Sequence, residues 1–171
     1  QRAAALGETS AWMPLGERHE HGNGTASDIR LAREAYQKAL ACGDQRAQAK
    51  LSAEAGALQR AVAFVRSWNE VSVASLLDHV SATPGRFFRR EYPQVDALLR
   101  MEEELRTRWP LRRISVVPGA RADVETFDII KVTQPFHFEV ENGERLARGD
   151  GTLVCTVQRD VTGVWRVPDA A

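Results

Sequence analysis

The stretch Leu105-Arg106-Thr107-Arg108-Trp109-Pro110-Leu111-Arg112-Arg113-Ile114-Ser115-Val116-Val117 decides the fold, because the apolar period changes inside it. Upstream, Val95, Leu98, Leu99, Leu105 and Trp109 share one face of an amphipathic helix. Downstream, the period is two, that of a half-buried strand. Pro110 sits at the change. It restricts the residue before it and offers no N–H to a helical ladder, so the helix stops there.

Working toward the C-terminus, strands are expected over residues 111–117, 122–132, 136–140, 152–159 and 164–167. Asn142-Gly143 and Thr162-Gly163 read as hairpin turns. Toward the N-terminus, Pro93 opens the helix, Phe87-Phe88 forms a short strand, and Pro84-Gly85 closes a short helix carrying Val73, Leu76, Leu77 and Val80. Before that, Ala47, Leu51, Ala55, Leu58, Val62, Val65 and Trp68 form a stripe that predicts one long helix; Gly56 costs only about 1 kcal/mol inside it. Ser27-Asp28 caps an earlier helix with Ile29, Ala32, Tyr36, Ala39 and Leu40 on one face, ended by Gly43-Asp44. Residues 1–26 hold Pro14 and four glycines without an apolar period, and are expected to be a linker or arm. Helices, a short strand, a helix and then a meander make an α+β domain.

The 171 residues carry 23 basic and 23 acidic side chains, a formal charge of zero. Nucleic-acid binders and polybasic membrane-surface domains both need excess cations, so the balance weighs against each. No apolar run approaches the roughly 18 residues of a membrane span. A hydrophobic content of 43% with 27% charged residues is that of a globular chain. Cys42 and Cys155 lie far apart without CxxC spacing, so buried or half-buried thiols are expected and no disulfide framework. Lysine occurs only at 38, 50 and 131, an arginine bias that points to a GC-rich bacterial genome. Without an initiator methionine or a signal peptide at its start, the chain is expected to be processed or part of a longer protein. Its compartment, cytoplasmic or periplasmic, stays open.

Three stretches together resemble the nuclear transport factor 2-like superfamily, also called the SnoaL-like or cone fold. They are a leading helix with Phe64 and Trp68 followed by Leu76-Leu77; Phe87-Phe88 and the helix ending Arg108-Trp109-Pro110-Leu111-Arg112-Arg113; and Gly149-Asp150-Gly151-Thr152, read as a strand-entry turn, leading to a closing Gly163-Val164-Trp165-Arg166-Val167. The resemblance implies a curved antiparallel sheet with helices packed on its concave face. It covers about residues 57–168, with 27–56 as a helical extension. The Arg-Trp-Pro-x-Arg-Arg segment is similar to accessory domains fused to larger bacterial proteins.

In that superfamily the cone can hold a small molecule, and isomerases, dehydratases and cyclases use it catalytically. An isomerase-type site implies a carboxylate base near the first short strand, but residues 82–90 contain no acid. Asp128 is the polar exception between Phe127 and Ile129-Ile130. Its parity with Val124, Thr126, Ile130 and Val132 directs it to the concave face unless a bulge turns it outward. Tyr92 would complete a polar pair there, with Trp68, Trp109 and Phe88 lining the pocket. His137 and Glu139 alternate with Phe136, Phe138 and Val140, so they point outward as candidate interface residues. His79 follows Asp78 at a helix end, where a charged imidazole suits the dipole. His19-Glu20-His21 offers two ligands without a third, so no metal site is read, and no motif implies a cofactor. Eight arginines between 86 and 113 are interspersed with Glu91, Asp96 and Glu102-Glu103-Glu104, the pattern of a solvated helix with local ion pairs.

The expected function is therefore a non-catalytic binding or protein-interaction module of a larger bacterial protein, self-associating as a dimer. The alternatives are a SnoaL-like isomerase, dehydratase or cyclase acting on a small hydrophobic ligand, and a periplasmic core component of type IV secretion, which shares the fold.

Overall fold

At Pro110 the helix gives way to strand as its sequence requires: Trp109 donates its N–H to the Leu105 carbonyl and the first long strand begins at Leu111. The computed structural model describes residues 11–170 other than 71, 82–83, 88–89 and 92–93. In chain order the elements are α1 (Trp12–His21), α2 (Ile29–Ala41), α3 (Arg46–Leu51), α4 (Ala53–Ser67), a 3-10 helix (Val73–Asp78), β1 (Arg86–Phe87), β2 (Arg90–Glu91), α5 (Val95–Arg108), β3 (Leu111–Val116), β4 (Arg121–Thr126), β5 (Ile129–Glu141), β6 (Leu146–Arg159) and β7 (Trp165–Ala170). The seven-stranded sheet runs β2-β1-β7-β6-β5-β3, with β4 also on β5. The pairs β1–β2, β3–β5 and β6–β7 are antiparallel, and β1 meets β7 in parallel through Phe87 and Ala170. The chain divides into two compact units. One joins the chain through Ala55 to Val124–Ile130; the other comprises Gly56–Asp123 and Lys131 onward.

In the first unit, the segment expected to be a linker contains α1. Pro14 falls in its first turn, where a missing N–H costs nothing, and Gly22 closes it in a left-handed conformation. Asp28 caps α2 by accepting from the Leu31 N–H at 2.9 Å. The Ala32, Ala35, Tyr36 and Ala39 face of α2 is buried. The stripe expected as one long helix breaks at Ser52, whose hydroxyl donates to the Gln48 carbonyl at 2.9 Å and competes with the helical ladder.

The strand expected over 122–132 is instead a hairpin. The Thr126 hydroxyl accepts from the Asp128 and Ile129 N–H groups, which turns the chain at Phe127-Asp128. Asp128 is thus a turn residue, and the strand parity that directed it toward a concave pocket does not apply. Phe127, fully buried, meets the Tyr36 ring edge-on at 5.4 Å under the Arg33 guanidinium.

One buried carboxylate ties this unit together. Glu20 accepts from the Phe127 N–H at 2.8 Å, the Lys50 ammonium at 3.2 Å and the Tyr36 hydroxyl at 2.5 Å. Lys50 also donates to Asp128 at 2.6 Å. Burial, reinforced by the Glu20 carboxylate, pushes the Tyr36 phenol far above its ordinary range, so it stays a donor.

In the second unit, Gly149 and Gly151 lie within β6 rather than in a turn ahead of it. The Phe136 ring lies where a Cβ on Gly151 would sit, so the strand glycine makes room for the neighbouring aromatic. Gly56 serves α4 in the same way, leaving its surface open to the Trp165 indole of β7.

Glu20→Ala leaves Lys50, Tyr36 and the Phe127 amide short of a buried acceptor and is expected to cost about 3–5 kcal/mol. Tyr36→Phe leaves the ion pair intact and is expected to cost about 1.5 kcal/mol. Urea denaturation of both variants measures this, and a Glu20→Ala cost below about 1 kcal/mol contradicts it.

Candidate functional site

The interior of the second unit is organised by α4. Its last turn carries Phe64 inward, and Trp68 follows directly beyond Ser67; both are buried. Phe87 of β1 meets Phe64 at 6.2 Å, Phe64 meets Trp68 at 5.5 Å, and Trp68 meets Phe136 of β5 at 5.3 Å, each edge to face. Phe138 continues the run at 6.4 Å from Phe136. Leu98 of α5 and Leu153, Val157 and Val167 of the sheet are buried as well.

One ionic cluster accompanies this core. Glu102 of α5 is buried and accepts from Arg112 at 2.7 Å and from Arg106 at 3.1 Å. Arg106 also donates to the Ser67 carbonyl, and Arg112 to that of Trp109, so both guanidiniums are fastened at two points. The expected solvated face of α5 holds for Glu103 and Glu104, which are exposed, but not for Glu102. Glu102 lies four residues after Leu98 and three before Leu105, on the apolar stripe. That position was the one sequence signal for its burial.

Three of the expected pocket residues are described. Trp68 is in the ring run. Trp109 is half-buried beyond the end of α5, with the Arg108 guanidinium 5.9 Å from its ring. Asp128 belongs to the other unit, bound to Lys50. Tyr92 and Phe88 lie outside the described residues. The expected interface residues lie together on β5: His137 Nδ1 is 2.9 Å from Asp150 of β6, and Glu139 is 3.7 Å from Arg113 of β3. Their side chains keep 45% and 38% of their exposure, Asp150 and Arg113 87% each.

A groove of about 740 Å³ lies between α4 and the 3-10 helix, with Leu58, Val62 and Ala63 as its apolar lining and Ser75, Asp78 and His79 among its polar residues. His79 Nδ1 is 2.9 Å from the Arg60 guanidinium. Arginine only donates, so Nδ1 is the acceptor and a neutral ring carries its proton on Nε2. Arg60 and Arg166 also donate to the Asp78 carbonyl. Burial first, and then the Arg60 charge, lower the His79 pKa, so the charged imidazole expected at the helix end gives way to a neutral acceptor. Cys155 is buried, its thiol pushed up to about 12, whereas Cys42 is exposed. Among the described residues no group of three His, Cys, Asp or Glu is placed to hold a metal ion, and no helix is long and apolar enough to cross a membrane.

No protein-family model matches the chain, and no curated protein sequence does. Solved structures do. LinA matches at 10% identity with a TM-score of 0.61, over 72% of this chain and 86% of that one. A nuclear transport factor 2-like superfamily protein from Salmonella enterica serovar Typhimurium matches at 10% identity and 0.57, over 73% and 89%. A protein of cystatin-like fold from Nostoc punctiforme matches at 15% and 0.55, over 68% and 86%. The chain has the nuclear transport factor 2-like cone fold that its sequence implied, and identities this low speak for the fold alone.

The lowered His79 pKa has a signed consequence. The unfolded chain takes up this proton near pH 6.5, before the folded chain does, so stability falls as pH drops below about 6.5 toward the folded value. Thermal melts of wild type and His79→Gln between about pH 7.5 and pH 5 are expected to diverge, the variant losing less on acidification. Parallel curves contradict the assignment.

Proposed function

We propose that this chain is a non-catalytic binding module that associates through the outer face of its sheet, with a second copy as the simplest partner. The observation that carries this reading is the run of rings Phe87-Phe64-Trp68-Phe136, the first three buried and Phe136 half-buried, which occupies space that a cone enzyme would give to its substrate. The ionisable groups beside it, Glu102, Arg106 and Arg112, are engaged with one another rather than poised for proton transfer. The outer face, by contrast, sets Arg113 beside Glu139 and His137 beside Asp150, with Leu111 and Leu146 exposed at strand ends. Alternating charges of this kind suit an isologous contact, in which Arg113 of each copy faces Glu139 of the other. The second reading, a small-molecule enzyme, draws on the open groove with its apolar residues and the His79 imidazole.

Light scattering over a micromolar concentration series tests the proposal. The wild-type chain is expected to dimerise, more weakly at high salt, and Glu139→Arg to dissociate by placing like charges together. A chain that stays monomeric throughout, or a dimer indifferent to both salt and substitution, contradicts it.

A further inference from the structure

Among the described residues β3 ends the sheet, paired on one side only, with β5. In the β3–β5 register Arg113 lies opposite Glu139, Ile114 opposite Phe138 and Ser115 opposite His137. Backbone groups alternate along a strand, so the N–H and C=O groups of Arg112, Ile114 and Val116 point away from β5. Such an edge is a template for another strand unless something blunts it.

Here one side chain does so. Asn69, just past the end of α4, donates from Nδ2 to the Ile114 carbonyl at 2.7 Å and accepts the Ile114 N–H on Oδ1 at 2.7 Å. A carboxamide has the donor and acceptor of a peptide group, so Asn69 makes the two bonds that a residue of a neighbouring strand would make. The Asn69 backbone is held by its own N–H bond to the Arg66 carbonyl. Trp68, buried immediately before it, anchors the segment.

We infer that Asn69 is a stand-in strand residue that keeps the β3 edge closed, and that the strand it excludes is β3 of a second copy. Antiparallel pairing centred on Ile114 sets each Ile114 against its counterpart and exchanges both bonds that Asn69 now occupies. It places Arg112 opposite Val116 and Arg113 opposite Ser115, so no two arginines face one another. Arg112 presents no free guanidinium at the seam, since it is held by Glu102 and the Trp109 carbonyl. This edge contact, which Asn69 keeps from forming, is distinct from the face-to-face association proposed above.

Two variants open the edge. Asn69→Ala removes both bonds. Asn69→Asp keeps the size but sets a carboxylate oxygen against the Ile114 carbonyl. Sedimentation and amide hydrogen exchange of the full chain are read together. Both variants are expected to assemble beyond the wild-type state as concentration rises. The Ile114 amide is expected to exchange about fivefold faster or more than wild type in dilute solution, and to regain protection on assembly. The inference is overturned if neither variant assembles further, or if the assembled form leaves the Ile114 amide unprotected. It is overturned without any variant if the wild-type Ile114 amide exchanges like that of an unstructured chain. Glu139→Arg separates the two contacts: it acts on the face, and edge assembly in the Asn69 background is expected to survive it.

Discussion

The burial of Trp68 is the constraint on which the second unit turns. Its ring meets Phe64 on its own side of the domain and Phe136 on the sheet, so a single indole joins α4 to β5. That position requires Phe136 to cross β6, and β6 answers with glycine at 151. It also fixes where the chain leaves α4, which delivers Asn69 to the open edge of β3. A smaller residue at 68 would free interior volume, slacken the contact between helix and sheet, and loosen the segment that covers the edge.

In the second unit the buried Glu102 carboxylate is satisfied by two arginines, each also fastened to a backbone carbonyl. A cluster so satisfied specifies the packing of α5 against β3 and leaves little acid or base to spare. On the outer sheet face, by contrast, Arg113 and Asp150 keep most of their exposure. Of the eight arginines between 86 and 113, Arg106 and Arg112 are spent on Glu102 within the fold, while Arg86, Arg90, Arg100, Arg108 and Arg113 stay exposed.

The sequence carried the architecture because the signals were periodic and local. Pro110 marks the helix-to-strand change whatever surrounds it, and Asp28 and Ser72 cap their helices by contacts within three residues. The candidate site was far less legible, since its determinants are long-range. Glu20 stood in what read as a linker, yet its partners are Tyr36, Lys50 and the amide of Phe127, 107 residues away. Asn69 lies 45 residues from the strand it caps. Asp128 failed for a different reason: parity holds only within an unbroken strand, and the turn at Phe127-Asp128 depends on the Thr126 hydroxyl, a weak signal in a stretch of otherwise strand-forming residues. The glycines at 149 and 151 misled in a related way, since their usual meaning is a turn and their purpose here is to seat the Phe138 and Phe136 rings.

The binding-module reading rests on a cone interior filled by its own aromatic rings. Its most direct test is a xenon titration followed by methyl NMR at Leu98, Leu153, Val157 and Val167, all buried in the second unit. A filled interior predicts no saturable shift at these methyls. Saturable xenon-induced shifts there would reveal an empty apolar chamber beside Trp68 and contradict the account.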